Sequence, residues 1–171
     1  MIAKDTLVWE RQLGVDPKTV REAIATREGL SHWFMSTKFE IVLGGPFSFE
    51  RGWSGTITRI EPGRLIQFNP DADSEDAYLR FEIESSTNGS LFRLTDKMPP
   101  DADPSKIFGD DTPEVQVHQP GGIGTHWSGV AAGYHGFVDA LEAYLTGQAI
   151  PFDHDDLAGR YSPILDEWHS A

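Results

Sequence analysis

The chain has no cysteine. That excludes disulfides, thiolate nucleophiles and cysteine-held zinc. Positive charge is also scarce: 14 basic residues stand against 27 acidic ones, for a formal net charge of −13. Such a surplus repels nucleic-acid phosphates and anionic lipid, so neither nucleic acid nor a membrane is expected as a partner. No apolar run approaches the roughly eighteen residues of a membrane span. The N-terminal stretch carries Lys4, Asp5, Glu10 and Arg11, which leaves no apolar core for a secretory signal. A cytoplasmic location is therefore the expectation. Two-histidine helical spacing, an acidic calcium loop and a P-loop lysine are all missing, so no metal and no tightly bound cofactor is expected. Apolar mass is what the chain does have. With 39% hydrophobic and 11% aromatic residues in 171 positions, it can build one real core instead of staying disordered.

Local patterns predict the element order. Residues 6–13 suit a first strand. Asp16 followed by Pro17 predicts a helix start, and Thr26 predicts a cap for a second short helix over 27–34. Residues 38–43 alternate, with Phe39, Ile41 and Leu43 on one face, and predict a strand that ends at the Gly44-Gly45-Pro46 turn. Further strands are expected over 46–51, 55–60 and 64–69, the last two joined by Glu61-Pro62-Gly63. An acidic loop over 69–76 separates these from strands over 77–86 and 90–97, with a hairpin turn at Asn88-Gly89. Short turns between successive strands imply an antiparallel meander.

Residues 125–147 read as one long amphipathic helix. Trp127, Val130, Ala131, Tyr134, Val138, Leu141 and Leu145 share a stripe, and Asp139 and Glu142 fall outside it. Thr125 is the expected N-cap and Gly147 the expected stop. The fold class is therefore α+β. A curved antiparallel sheet of about six to seven strands should wrap on a long C-terminal helix, with two short helices after the first strand. Residues 1–147 are expected to form the domain, with a proline-rich loop insertion at 98–124 and a C-terminal extension at 148–171. Within that extension, 161–168 suits a short helix packed back on the body.

Three blocks carry a family resemblance: Leu43-Gly44-Gly45-Pro46-Phe47-Ser48-Phe49, then Gly55-Thr56-Ile57-Thr58-Arg59-Ile60-Glu61-Pro62-Gly63-Arg64-Leu65, and the helical stripe from Trp127 to Leu145. Together they resemble the START-like helix-grip (SRPBCC) superfamily over roughly residues 6–145. Within it the chain is similar to the branch named after the activator of the ninety-kilodalton heat-shock protein ATPase. That branch often has a tryptophan near the end of the strand after the Glu-Pro turn, where this chain has Phe68-Asn69-Pro70. The resemblance implies a helix gripping a bent sheet with a ligand cavity between them. It also leaves open a cyclase or hydrolase using that cavity, and a stress-response, co-chaperone-like interaction module with an exposed apolar patch around Trp53 or Trp168.

On this reading a small, largely apolar ligand is the expected partner, and Trp33, Phe39, Ile41, Phe49, Phe81, Phe92, Trp127, Ala131, Tyr134 and Val138 are its candidate lining. Tyr134 and Trp127 stand out because each combines a large apolar body with a donor that needs a partner when buried. Acid–base candidates are His32, His135, Tyr134, Arg80 and Glu82, but no spacing ties them together, so no residue is assigned as catalytic. His118, His126 and His154 show no metal-site pattern. Gly121-Gly122-Ile123-Gly124 reads as a hinge for the preceding loop more than as a phosphate cradle. Self-association as a homodimer, through a sheet edge or the tail, is left open.

Overall fold

Asp16 opens α1 (Pro17–Ala25), its carboxylate accepting from Lys18 N at 2.9 Å and Thr19 N at 3.2 Å. Pro17 takes the first helical position, where the missing N–H would have had no partner anyway. Thr26 then closes α1 and caps α2 (Arg27–Trp33), accepting from Gly29 N at 2.9 Å. Both caps are those the sequence predicts. The computed structural model describes residues 2–3, 6–35, 37–49, 53–98 and 123–149, and for 2–3 and 123–129 the backbone alone. Most of the expected 98–124 loop and nearly all of the 148–171 extension, including its short helix at 161–168, lie outside the described residues.

The strands are β1 (Ile2–Ala3), β2 (Thr6–Leu13), β3 (Pro46–Ser48), β4 (Ser54–Glu61), β5 (Leu65–Asn69), β6 (Tyr78–Ser86) and β7 (Gly89–Lys97). They form one seven-stranded antiparallel sheet in the order β1-β2-β7-β6-β5-β4-β3. β3 to β7 run as a meander, while α1 and α2 carry the chain from β2 across to the far edge. A bulge between Ile57 and Arg59 interrupts the β4–β5 register, and such a defect adds bend and twist to a sheet. The α+β helix-grip architecture expected from the sequence is present.

Three local expectations fail. Residues 38–43 form no strand, and only an isolated bridge joins Thr37 to Phe49. The segment curls on itself: Val42 N donates to Glu40 O at 3.1 Å and Gly45 N to Val42 O at 2.9 Å, so these donors are spent locally and no ladder extends over the segment. Phe39 and Ile41 still turn toward the core, because burying a side chain does not need a ladder, whereas Leu43, expected on the same face, is exposed. The β6–β7 turn is Thr87-Asn88, not Asn88-Gly89, since Gly89 already pairs with Ser86. Gly89 has φ 124°, and a Cβ there would stand 2.3 Å from Leu13 O, so close approach of the β2 end demands glycine.

The third failure is the start of the long helix. That helix, α3 (Ile123–Thr146), begins two residues before Thr125, since a capping preference is a weak stop against one more half-turn. Its end is as expected: Gly147 adopts φ 71°, and its N–H donates to Ala143 O at 2.9 Å. α3 lies over the inward face of the sheet. There Val138, Leu141 and Tyr134 join a core of Leu13, Ile24, Leu30, Ile57, Phe68, Phe81, Phe92 and Leu94.

Candidate functional site

Strand alternation decides which side chains face α3. On β7 the inward positions are Phe92, Leu94 and Asp96; on β6 they are Leu79, Phe81 and Ile83; on β2 they are Leu7, Trp9, Arg11 and Leu13. Two regions result. Toward β3 the face is a packed aromatic mass. Trp33 meets Phe81 at 5.3 Å and Phe92 at 5.8 Å between ring centroids, and Phe49 meets Phe34, Phe39 and Phe68 at 5.1 to 5.3 Å. Trp33 Nε1 donates to Ala23 O at 3.0 Å, so its polar handle ties α2 to α1. Trp53 is half-buried against Phe47 and Phe49, and Trp168 lies outside the described residues. Among the described residues, the large apolar ones that are exposed are Val42, Leu43 and Tyr144.

The second region lies where α3 crosses β2 and β7. Trp9 packs its ring on Tyr134 at 5.3 Å. Two residues along β2, Arg11 reaches both acidic residues of α3: Nη2 bonds Asp139 Oδ1 at 2.5 Å, and Nη1 bonds Glu142 Oε2. Burial lowers the affinity of the Arg11 guanidinium for its proton, but the hydrogen bonds it donates to Glu142 and Asp139, with their charges, outweigh it and leave the pKa raised. Asp139, placed outside the apolar stripe by the sequence, is therefore buried by an ion pair with the sheet. In the other direction along β2, Leu7 pairs with Asp96 on β7, which pairs in turn with Leu79 on β6. Leu7 and Asp96 are each 1% exposed and Leu79 is fully buried.

Asp96 is the outlier of this region. Among the described residues, its Oδ2 is the buried side-chain polar atom with no hydrogen-bond partner. Burial pushes its pKa up to about 8, so the carboxyl is largely neutral near pH 7. The Tyr134 phenol is raised well above its usual value, first by burial and then by the charge of Asp96, which places the two groups within electrostatic reach. Trp9 packs on Tyr134 while Arg11 reaches Asp139 and Glu142, so α3 runs along β2 in the same direction. Asp96 therefore lies under the turn before Tyr134.

Of the predicted lining residues, the structure brings Trp33, Phe49, Phe81 and Phe92 into the aromatic mass. Phe39 and Ile41 are half-buried at its rim, and Tyr134 and Val138 face it from α3. Ala131 is fully buried on α3. The side chain of Trp127 lies outside the described residues. The acid–base candidates do not meet. His32 stacks on Tyr144 at 4.7 Å, and His135 Nε2 lies 3.6 Å from Asp139. Arg80 donates to Gln67 Oε1 at 2.8 Å, and Glu82 faces Arg93 at 3.9 Å. These last four lie on positions of the sheet that alternate with the inward set. The sequence reading missed Asp96 itself, although a signal was there: Phe92, Leu94 and Met98 share its alternation, so an acidic residue sits in an apolar stripe.

Among the described residues, no group of three or more His, Asp or Glu is arranged to hold a metal, and no helix is long and apolar enough to cross a membrane. A family profile described as "Activator of Hsp90 ATPase homolog 1-like protein" matches residues 15–146. No curated protein sequence matches the chain. Solved structures do. CalU16 from Micromonospora echinospora superposes with a TM-score of 0.67 at 15% identity, over 97% of this chain and 89% of that one. A conserved protein of unknown function from Enterococcus faecalis, EF2215, gives 0.66 at 16% identity, over 95% and 85%. Bacillus halodurans BH1534 gives 0.58 at 19% identity, over 82% and 98%. At these identities the likeness is one of fold.

Proposed function

Taking as premise that the chain belongs to the Activator of Hsp90 ATPase homolog 1-like family, we propose that it binds a small, largely apolar ligand between the inward face of its sheet and α3. One observation carries this reading. A buried carboxyl oxygen without a partner lies between Leu7 and Leu79 on the sheet face that a long helix covers. Folded proteins seldom leave such a group unsatisfied, and its presence marks a place where a missing partner belongs. Mostly apolar walls with one or two polar anchors are the usual make-up of a small-molecule site. Trp9, Tyr134, Ala131 and Val138 supply such walls from β2 and α3, and Asp96 with Tyr134 supplies the anchors. The aromatic residues Trp33, Phe49, Phe81 and Phe92 support this wall from behind, with Phe39 and Ile41 at the far rim.

Native mass spectrometry of freshly purified protein tests the reading. A reproducible added mass that leaves on denaturation, and that is lost from Tyr134→Ala, is the expected result. A bare chain mass, together with no saturable uptake of any apolar probe, would sink it. The same spectrum reports whether the chain is a monomer or a homodimer.

A further inference from the structure

We propose that Asp96 and Tyr134 form a pair of neutral O–H donors that recognises a carbonyl oxygen, so that the ligand class is apolar molecules bearing a ketone or similar uncharged acceptor. This rests on the ligand-binding reading above and says which chemistry the site selects. Asp96 Oδ2 is buried and unpartnered, and it lies on the inward face between Leu7 and Leu79. Directly opposed residues on neighbouring strands stand about 5 Å apart, so the carboxyl has apolar walls on both sides. An uncharged acceptor fits such surroundings best, because no ion has to be stripped of water to enter them.

Two features favour a donor over an acceptor role for the carboxyl. First, no cation stands against it among the described residues. Leu7 faces it from β2 and Leu79 from β6, while on α3 the titratable group within reach is Tyr134. The charged groups further along the same face are Arg11, Asp139 and Glu142, which are bound to one another, with His135 beside Asp139. Second, burial alone drives the Asp96 shift, and it drives it toward the protonated form. A protonated carboxyl has a hydrogen to give, as does a phenol held below its raised pKa. Two such donors within electrostatic reach of each other match the two lone pairs of one carbonyl oxygen.

Equilibrium dialysis with three matched probes tests this: propionylnaphthalene, propylnaphthalene, which lacks the carbonyl, and naphthylpropylammonium, which carries a cation. The wild type should bind the ketone at least about tenfold more tightly than the hydrocarbon at about pH 6, because one good hydrogen bond already contributes about that much and two donors meet the oxygen. That preference should fade as the pH rises past about 8, where Asp96 ionises. Asp96→Asn keeps an N–H donor and cannot titrate, so it should retain the preference and lose the fade. Asp96→Leu leaves the Tyr134 phenol as the one donor and should lose most of the ketone preference. Circular dichroism on each variant checks that it is folded. Equal binding of ketone and hydrocarbon by the wild type would overturn the donor pair and leave the ligand-binding reading standing. Tightest binding of the ammonium probe would overturn it in favour of a carboxylate that takes a cation. Loss of the ketone preference in Asp96→Asn counts against donation. Binding of none of the probes would overturn this proposal together with the reading beneath it.

Discussion

Replacing Asp96 by asparagine should change how stability depends on pH, and the size of the change follows from the structure. The carboxyl is 1% exposed and its pKa rises from 3.8 to about 8. Below 3.8 both the folded and the unfolded chain hold the proton, and the group is silent. Between 3.8 and about 8 the unfolded chain has lost the proton and the folded chain keeps it, so stability falls as the pH rises. Above about 8 both states are ionised and the loss is complete. The slope within the window is about 1.4 kcal/mol per pH unit, so roughly 4 kcal/mol is lost across three units. Asparagine keeps the shape and removes the titration. Other carboxylates titrate in both proteins and cancel in the difference. Urea denaturation of wild type and Asp96→Asn between about pH 5 and 8 provides the assay, with unfolding free energies extrapolated at each pH. The variant should gain on the wild type steadily as the pH rises. A constant offset across the range would refute the reasoning, because it would mean that Asp96 is already ionised in the folded protein.

Phe81→Ala removes a fully buried ring that touches Trp33, Phe34, Phe68 and Phe92, and should cost about 3–5 kcal/mol in the same denaturation assay. Arg11→Met strips the partly buried Asp139 and Glu142 of their cation and should cost about 2 kcal/mol. Faster amide exchange over the last turns of α3 should accompany it, and unchanged exchange would show that the apolar stripe alone holds the helix. Gly89→Ala forces a side chain into φ 124° and against Leu13 O, so a loss above about 2 kcal/mol is expected from the midpoint shift. An alanine variant as stable as wild type would mean that the β2 end and the β6–β7 turn separate at little cost.

Much of the fold was legible because its signals are local. Asp16, Thr26 and Gly147 act within one helical turn: Asp16 opens α1, Thr26 closes it and opens α2, and Gly147 stops α3. The stripe from Val130 to Leu141 and the alternation over β6 and β7 read directly as buried faces. The failures also have local causes. Phe39 and Ile41 alternate as a strand would, yet the backbone donors of Val42 and Gly45 bond within the segment. Periodicity reports which side chains are buried, and it does not report where the backbone finds its hydrogen bonds. In the site, the aromatic candidates were found because large apolar residues announce burial. Whether a ring such as Phe81 packs on other rings or borders a ligand depends on neighbours more than ten residues away in sequence, such as Trp33 and Phe92.

Taken alone, the sequence determined the class of architecture: an acidic, cysteine-free chain with a meander of strands and one long amphipathic helix, all set by composition and short-range periodicity. The tertiary structure decided which charges are buried and with whom. Asp139 and Glu142 looked like the solvent side of a helix until Arg11, more than a hundred residues earlier, was brought under them. Asp96 looked like an ordinary strand-end aspartate until Leu7, Leu79 and α3 closed over it and left one oxygen without a partner. A carboxyl's proton affinity depends on the water and charge within a few ångströms of it, and only the packed chain sets those.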